Sequence, residues 1–514
     1  MDTAPSTTQA PNPLASFNVF PYGGSQQRLG EYDYYDRLFI GDHFSAFNIK
    51  IDDEAYNKAY AQLRYVKVNF AGLISKIIAD MLFSEPVTVK DDSGENQDFI
   101  DALWYQNKMD IQCYESALSN SALGDAVFKV RVGKRHKNDK QPTVIIEDIT
   151  PKIYFPKIDG FNVRAEPDKQ ELAWTFISGG KTYLRKEVHT AGLIKNEVFL
   201  MEGNKIMNTE PLTILGIDGL LPEVSTGIEE SLIIHVPNWK TGNRFFGISD
   251  YYDMDSIFYA INNRMTKIDN ILDKHGDPIL MVPKGIVDEK GNVNKKALGV
   301  IEVVDGDTSK PEYIVWDASL ENAFKEIEKL VEFMYMTGEI SPDILGMGQG
   351  IAESGRALKF KLMRTIAKTA RKKLYYDRAI KQAVYVAMLL AKKHNIEVDG
   401  ETVQGEVDVP ELTWADGLPI DNSETVDNET KAIDAGLTSK KDAIMRVYQV
   451  DDETADEILE NIKKEDAINM PKTNLTGAFG TPNAGKGNMN DNGMGGNAMG
   501  GGSKDGQAPN AMDR

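Results

Sequence analysis

The feature that most constrains this chain is a pair of helical segments bracketing a short β-rich stretch. After Ser249 the apolar residues Ile257, Ile261, Met265, Ile268 and Leu272 step by 4, 4, 3 and 4, which is one face of a helix. Ser249 is placed to cap that helix, with Asp250 and Asp253 in its first turn. Lys274-His275-Gly276 and then Pro278 form a stop signal. A second run, Leu320, Phe324, Ile327, Val331 and Met334, steps by 4, 3, 4 and 3 and closes at Gly338. Each helix would be roughly 30–40 Å long at about 1.5 Å per residue. Seams this narrow suit packing against like helices. Two arrangements satisfy them: an internal antiparallel pair in one core, or a stalk that packs against copies of itself.

The segments around this hairpin read as mixed helix and strand. Residues 1–30 are rich in Pro, Ser, Gln and Gly and are expected to form a flexible arm. Asp52 to Phe83 reads as helices, with an apolar stripe at Phe70, Leu73, Ile74, Ile77, Ile78 and Met81. A short strand at Val87–Val89 and a helix from Phe99 to Leu123 follow. Strands then dominate to Pro237, with turns at Asp159-Gly160, Gly179-Gly180 and Asp218-Gly219. The insert between the paired helices offers β candidates at Ile279–Val282, Val300–Val304 and Glu312–Trp316. Beyond them lie a Gly- and Met-rich span to Gly355, a very long helix from Ser354 to Asn395, and a β segment from Glu406 to Trp414. The end is helical. Gly436 closes one helix, Ser439 caps the next, and Asp451 and Asp452 open a third that runs to Ile468. The Gly-, Asn- and Met-rich tail beyond Met470 lacks the branched apolar residues of a core and is expected to be disordered. The fold class is α+β.

Charge narrows the function. The 514 residues carry a net charge of -20, which argues against tight, sequence-independent grip on a nucleic acid. The distribution is uneven. Residues 357–395 hold 11 Lys or Arg against Asp377 alone, a net of +10, whereas residues 415–468 hold 15 acids against 6 bases, a net of -9. Opposed blocks suggest separate surfaces, or simply solvated faces. No stretch is long and apolar enough for a membrane span. Met1-Asp2-Thr3-Ala4-Pro5 has no secretory character. The single cysteine, Cys113, sits in an apolar helical pattern, reads as an inert core residue and fits a reducing compartment.

Chemistry-bearing motifs are absent or imperfect. Gly179-Gly180-Lys181-Thr182 echoes the end of a phosphate-binding loop, but Thr175 stands where its first glycine belongs and a strand follows, so a β-hairpin is expected. Gly346-Met347-Gly348-Gln349-Gly350 has the wrong spacing for a dinucleotide fingerprint. His43, His136, His189, His235, His275 and His394 are scattered, without partners at metal-ligand spacing. No nucleophile elbow occurs. We therefore expect no catalytic residue, no cofactor and no bound metal.

The order of elements, with several local strings, resembles the portal proteins of tailed bacteriophages of the siphophage type. The strings are Ile78-Ala79-Asp80-Met81-Leu82-Phe83-Ser84-Glu85-Pro86, Ala122-Leu123-Gly124-Asp125-Ala126-Val127, Val236-Pro237-Asn238, Phe246-Gly247-Ile248-Ser249-Asp250-Tyr251 and Glu353-Ser354-Gly355-Arg356-Ala357-Leu358-Lys359. The likeness runs from about Asp52 to Ile468. It implies a wing at 31–248, a first stem helix at 249–276 and a clip at 277–316. A second stem helix would follow at 317–337, a channel loop at 338–355, and the long wing helix with its β segment at 356–414. A helical crown at 415–468 would close the ordered part, before the tail at 469–514.

The resemblance further implies a dodecameric ring at one capsid vertex of the virion, assembled in the host cytoplasm. Double-stranded DNA would pass through it. Its partners would be the terminase large subunit, head-completion or adaptor proteins, and the major capsid and scaffolding proteins. Stem packing is expected from Ile257, Ile261, Ile268, Phe324, Ile327 and Val331. The acids Glu321, Glu328 and Glu332 are expected to line the channel and repel phosphate. Ile344, Leu345, Met347, Gln349 and Ile351 would form a mobile channel loop, or else a buried connector. Lys359, Lys361, Arg364, Lys368 and Arg371 on the basic helix would pair with acids of a neighbouring subunit or approach DNA. Two other readings stand beside this one: a capsid-associated adaptor or scaffold without a DNA channel, and a DNA-processing enzyme, for which no nucleotide loop or metal-carboxylate cluster is found.

Overall fold

The computed structural model describes residues 19–49, 65–136, 138–217, 219–276, 279–281, 312–314, 320–345, 355–415, 422–448 and 450–469. The chain divides into two compact units, one ending at Asp421 and one beginning at Asn422.

The first unit starts with a strap. Val19 pairs antiparallel with Lys205, and the amide of Phe20 donates to the carbonyl of Asn204 at 2.8 Å. Phe20 is buried with Phe155 and Leu184. Helix α1 (Gln26–Phe39) follows directly. The flexible arm expected to residue 30 is therefore too long, because two aromatics, Phe20 and Tyr22, fasten its last part to a sheet. Next come α2 (His43–Ala46) and α3 (Phe70–Phe83), the latter capped by Asn69, whose side chain accepts from Gly72 N at 3.0 Å. After β1 (Thr88–Lys90), the single helix expected from Phe99 to Leu123 is two: α4 (Gln97–Gln106) and α5 (Met109–Leu123). Buried Asn107 makes the break. Its amide donates to Leu103 O at 2.8 Å while its carbonyl accepts from Ile146 N at 2.9 Å.

The strands form two main sheets. Strands β2 (Asp125–Gly133), β3 (Thr143–Ile149) and β10 (Ile233–Pro237) make an antiparallel sheet in the order β10-β2-β3. The larger sheet is a meander of β4 (Tyr154–Pro156), β5 (Gln170–Ser178), β6 (Lys181–Thr190), β7 (Leu193–Glu202) and β8 (Lys205–Glu210), with β9 (Glu223–Ser225) paired to β7. Gly179 and Gly180 join β5 to β6 with φ of 57° and 76°, the two-residue turn that favours glycine. The echo of a phosphate loop is thus a hairpin.

The paired helices are α6 (Asp255–Gly276) and α7 (Glu321–Gly338). Between them β11 (Ile279–Met281) pairs antiparallel with β12 (Glu312–Ile314). The remaining β candidate, Val300–Val304, lies outside the described residues. Ser249 does not cap α6. Its hydroxyl accepts from Tyr251 N at 3.0 Å and donates to Ala122 O at 2.5 Å, so residues 249–254 form turns and the helix waits until Asp255. Helix α8 (Gly355–His394) is one 40-residue element, and β13 (Glu411–Thr413) pairs with β1.

Two apolar cores meet across α3. One face of α3 (Ile78, Leu82, Phe83) packs with α4, α5, β2 and the second half of α8, including Tyr376, Ile380, Ala383 and Ala387. The other face (Ile74, Ile77) packs with Tyr32, Tyr35 and Leu38 of α1, Phe258 and Ile261 of α6, and Met334 of α7. This second core takes up the helical seam. Ile257, Met265, Ile327 and Val331 pack against it, Ile268 is buried, and Arg264 pairs with Glu326 across the two helices at 2.8 Å. The middle of the seam is therefore filled within one chain, while Leu272 near the end of α6 is 53% exposed. Phe324 lies outside this core, 44% exposed at the start of α7.

The second unit is helical: α9 (Asn422–Asp434), α10 (Lys440–Tyr448) and α11 (Asp452–Asn469). Ser439 caps α10, accepting from Asp442 N at 3.0 Å, and Asp451 caps α11, accepting from Thr454 N at 2.9 Å. Arg446 holds Glu429 through two bonds of 2.8 Å, and Lys441 lies 2.8 Å from Asp452 and 2.7 Å from Asp456.

Candidate functional site

The strongest constellation lies where the loops entering α6, the end of α7 and the first half of α8 meet. It is built on two glycines. Gly124, at φ 94°, ends α5 and lies against the backbone of residues 247–249. A Cβ on Gly247 would fall inside contact distance of Gly124 O, so the two segments touch backbone to backbone. Asn238 N donates to Gly124 O at 2.8 Å, and Asn238 Nδ2 donates to Ile248 O at 2.9 Å. Asp125, wholly buried, accepts from Gly247 N at 2.8 Å and Tyr32 Oη at 2.6 Å, and lies 2.6 Å from His235 Nε2.

This frame presents Asp250 to α8. Lys372 Nζ donates to Asp250 Oδ2 at 2.7 Å, Lys368 Nζ lies 3.1 Å from Oδ1, and Ser121 Oγ donates to Oδ2 at 2.7 Å. All three charged side chains are buried. Two ammonium groups share one carboxylate, so their remaining donors need neutral oxygens. Lys368 donates to Gly338 O at 2.8 Å and Lys372 donates to Asn238 Oδ1. Burial pushes the Asp250 carboxyl up, but Lys368, Lys372 and the Ser121 bond outweigh it and hold the group below the ordinary carboxylate range. Burial lowers the Lys372 ammonium to about 8, with Asp250 pulling the other way.

The cluster continues to the surface. Glu339, in the left-handed conformation at the end of α7, lies 3.2 Å from Arg364 and 2.7 Å from Arg371. Asp343 lies 3.0 Å from Lys361, and Ser341 N donates to Thr365 Oγ1 at 2.8 Å. Chemically this is a clamp. It ties the last turn of α7 to α8 and to the entry of α6. Among the described residues no group of three or more His, Cys, Asp or Glu gathers to hold a metal.

The expected site residues separate against this geometry. Lys361, Arg364, Lys368 and Arg371 do pair with acids, but the acids belong to the same chain: Asp343, Glu339 and Asp250. These pairs form because the α7 terminus lies beside α8, and Arg364 and Arg371 keep much of their side chains exposed. Lys359 is exposed on α8. Glu321, Glu328 and Glu332 are exposed on α7, with Glu321 2.6 Å from Lys325 and Glu332 2.5 Å from Lys329, which softens the expected acidic wall. Ile344 and Leu345 do not lie on a free loop. They are half-buried in a 3₁₀ turn (Pro342–Leu345) against the second core, and Ile344 also touches the contact of Met81 with Leu362. Met347, Gln349 and Ile351 lie outside the described residues.

Lys372, Asn238 and Thr365 escaped the sequence reading. A signal existed. Extending the buried face of α8 backward from Ala383, Ala379 and Tyr376 passes through Lys372, Lys368 and Thr365, so a buried phase predicts buried lysines in need of an acid.

The clamp locks the helices of this fold together by buried charge. The family model of phage portal proteins, SPP1 Gp6-like, matches residues 23–169 and 231–470, which takes in both hairpin helices, α8 and the second unit. The chain belongs to that family, a structural one of tailed bacteriophages associated with DNA packaging. The interval between the matched segments, 170–230, coincides with strands β5 to β9. No curated protein matches the chain. No helix among the described residues is long and apolar enough to cross a membrane.

Proposed function

We propose that copies of this chain close into a ring, a dodecamer, at one capsid vertex, and that double-stranded DNA is packaged and later ejected through its centre. The observation that carries this reading is the family match over 23–169 and 231–470. The exposed face of the hairpin supports it. Phe333 and Met336 on α7 are 51% and 68% exposed, and Phe324 joins them on the same helix. Phe333 and Met336, three residues apart, lie near one another on the helix surface, with Phe324 on another side, and exposed apolar side chains of this kind suit contact with another copy. In this reading α6 and α7 form the stem, residues 277–316 the clip and the second unit the crown. Residues 338–355 form the channel loop, its described first part tied to α8. Glu328 and its acidic neighbours line the bore and keep phosphates from adhering. The terminase large subunit docks on the clip side during packaging. Head-completion proteins replace it, and capsid and scaffolding proteins contact the wing, with assembly in the host cytoplasm.

Negative-stain imaging and light scattering of the purified full chain test the reading. Rings with a central hole are expected. A monomer, or an assembly without a hole, would instead favour an adaptor or scaffold.

A further inference from the structure

A cationic cleft of about 400 Å³ lies in the first unit, between the loop preceding β5, the loop following β10 and the middle of α8. The proposed channel makes no use of it. Arg164, Lys240, Arg244 and Arg378 line it, with Glu166 as a carboxylate beside them. Glu166 is already taken, lying 2.6 Å from Arg378. Asp125, beneath His235, is occupied by His235, Tyr32 and the amide of Gly247. Asp377 lines an adjoining hollow, where it accepts from Trp414 Nε1 and lies 3.2 Å from Lys381. Among the described residues no carboxylate pairs with Arg164, Lys240 or Arg244. The Lys240 ammonium reaches only the carbonyl of Phe245, at 3.5 Å, and that residue's ring.

These three cations come from two segments but share one hollow. The Arg164 guanidinium packs against Gly242, where an added Cβ would sit 2.8 Å from it. Burial lowers the pKa of Lys240, buried Asp125 raises it, and Arg164 and Arg378 lower it further, as expected for cations crowded without a free counter-ion. The loop that carries Lys240 and Arg244 is preformed. Ile248 N donates to Trp239 O at 2.9 Å, Arg244 N donates to Thr241 O at 3.1 Å, and Phe245 stacks on His235 at 4.9 Å between ring centroids. A carboxylate has one two-oxygen edge, enough for one guanidinium. A phosphate has more acceptor oxygens and can serve several cations at once.

The geometry points to a phosphate-binding cleft in which Arg164, Lys240 and Arg244 together receive one phosphate group, either a phosphodiester of a nucleic acid or free phosphate. The inference does not rest on ring formation, and a chain that forms no ring would still bind.

The test measures binding of a fluorescein-labelled short DNA duplex to the full chain by anisotropy, with inorganic phosphate and a polyglutamate peptide as competitors. The double variant Arg164→Gln/Arg244→Gln removes two cations. Both side chains are exposed, so the core is untouched. Lys181→Gln/Lys205→Gln removes the same charge from exposed strand ends and serves as control. Each lost phosphate contact weakens duplex binding roughly tenfold near 0.1 M salt and lowers the slope of log K against log salt by about 0.9. The double variant strips two of the three cations from that one phosphate, so it should bind roughly tenfold more weakly, with a slope reduced by about 0.9, and the control should bind like the parent. Displacement by millimolar phosphate identifies free phosphate as the ligand, and resistance to it identifies the phosphodiester backbone. Equal binding by parent and double variant, no binding of duplex or phosphate, or stronger displacement by polyglutamate than by phosphate each overturns the inference.

Discussion

In the first unit one carboxylate, Asp250, stands between Lys368 and Lys372 with all three side chains out of water. In the second unit Glu429 and Arg446 meet through two bonds of 2.8 Å, with the arginine in solvent. By geometry alone the second contact is the better one. Energetically the order reverses. Exposed pairs exchange good hydration for a modest attraction and change stability little. A buried pair has already lost its water, so removing one partner strands the other. The first unit thus stakes its stability on a few ions that fix α8 to the end of α7. The ion pairs of the second unit involve exposed side chains, each nearly dispensable.

The widest gap between the two units should appear on deleting the shared acid. Asp250→Ala leaves Lys368 and Lys372 buried without a counter-charge, and breaking a buried pair in this way costs about 3–5 kcal/mol. Denaturant unfolding of the full chain, followed by a probe in the first unit, should show that loss. A change as small as that of a surface pair would mean that water reaches the clamp.

Acid sharpens the same point. The Asp250 carboxyl is held below its ordinary 3.8 in the folded chain. Its ionised form therefore contributes stability that is fully present above that value and lost as pH falls below it toward the folded pKa. Below about pH 4 the parent should lose up to about 1.4 kcal/mol per pH unit through this group. Asp250→Asn should lack that component. Equal acid slopes for parent and variant would show that Asp250 titrates normally.

A third contrast lies within the hairpin. Ile261 is 1% exposed in the second core, whereas Phe324 is 44% exposed on the partner helix. Ile261→Ala should cost about 3 kcal/mol of fold stability, within the range for such truncations. Phe324→Asp should leave the fold intact and reduce ring mass in light scattering. Rings that dissociate on Ile261→Ala while the chain keeps its stability would return the seam to the space between subunits.

These contrasts also show what could be read ahead of the structure. Periodicity gave both hairpin helices, because one apolar face repeats along each, though the first begins at Asp255 rather than Ser249. Caps such as Ser439 and Asp451 were legible because their hydrogen bonds are local. Whether the seam faced another copy or its own chain was not legible, since a helical stripe does not name its partner. The destination of the basic residues on α8 was equally hidden. Charge is written along the chain, but pairing depends on Glu339 and Asp343 arriving from α7. The strings around Gly124, Asn238 and Gly247 carried the resemblance, and they prove to touch in space. Close backbone approach leaves little room for other residues there.

The smallest expected effects lie in the second unit and separate cap from ion pair. Ser439 Oγ accepts from Asp442 N at 3.0 Å and ends the run of unpaired amides at the start of α10. Ser439→Ala should cost about 1 kcal/mol, since no other side chain supplies that acceptor. Glu429→Ala breaks two good bonds to Arg446, yet the guanidinium simply returns to water. Its effect on the unfolding midpoint of this unit should fall below that of the cap. If Glu429→Ala instead exceeds Ser439→Ala, Arg446 is shielded from solvent in the assembled protein. The same pair of variants, compared in rings and in dissociated chain, would then show whether a neighbouring copy supplies the shield.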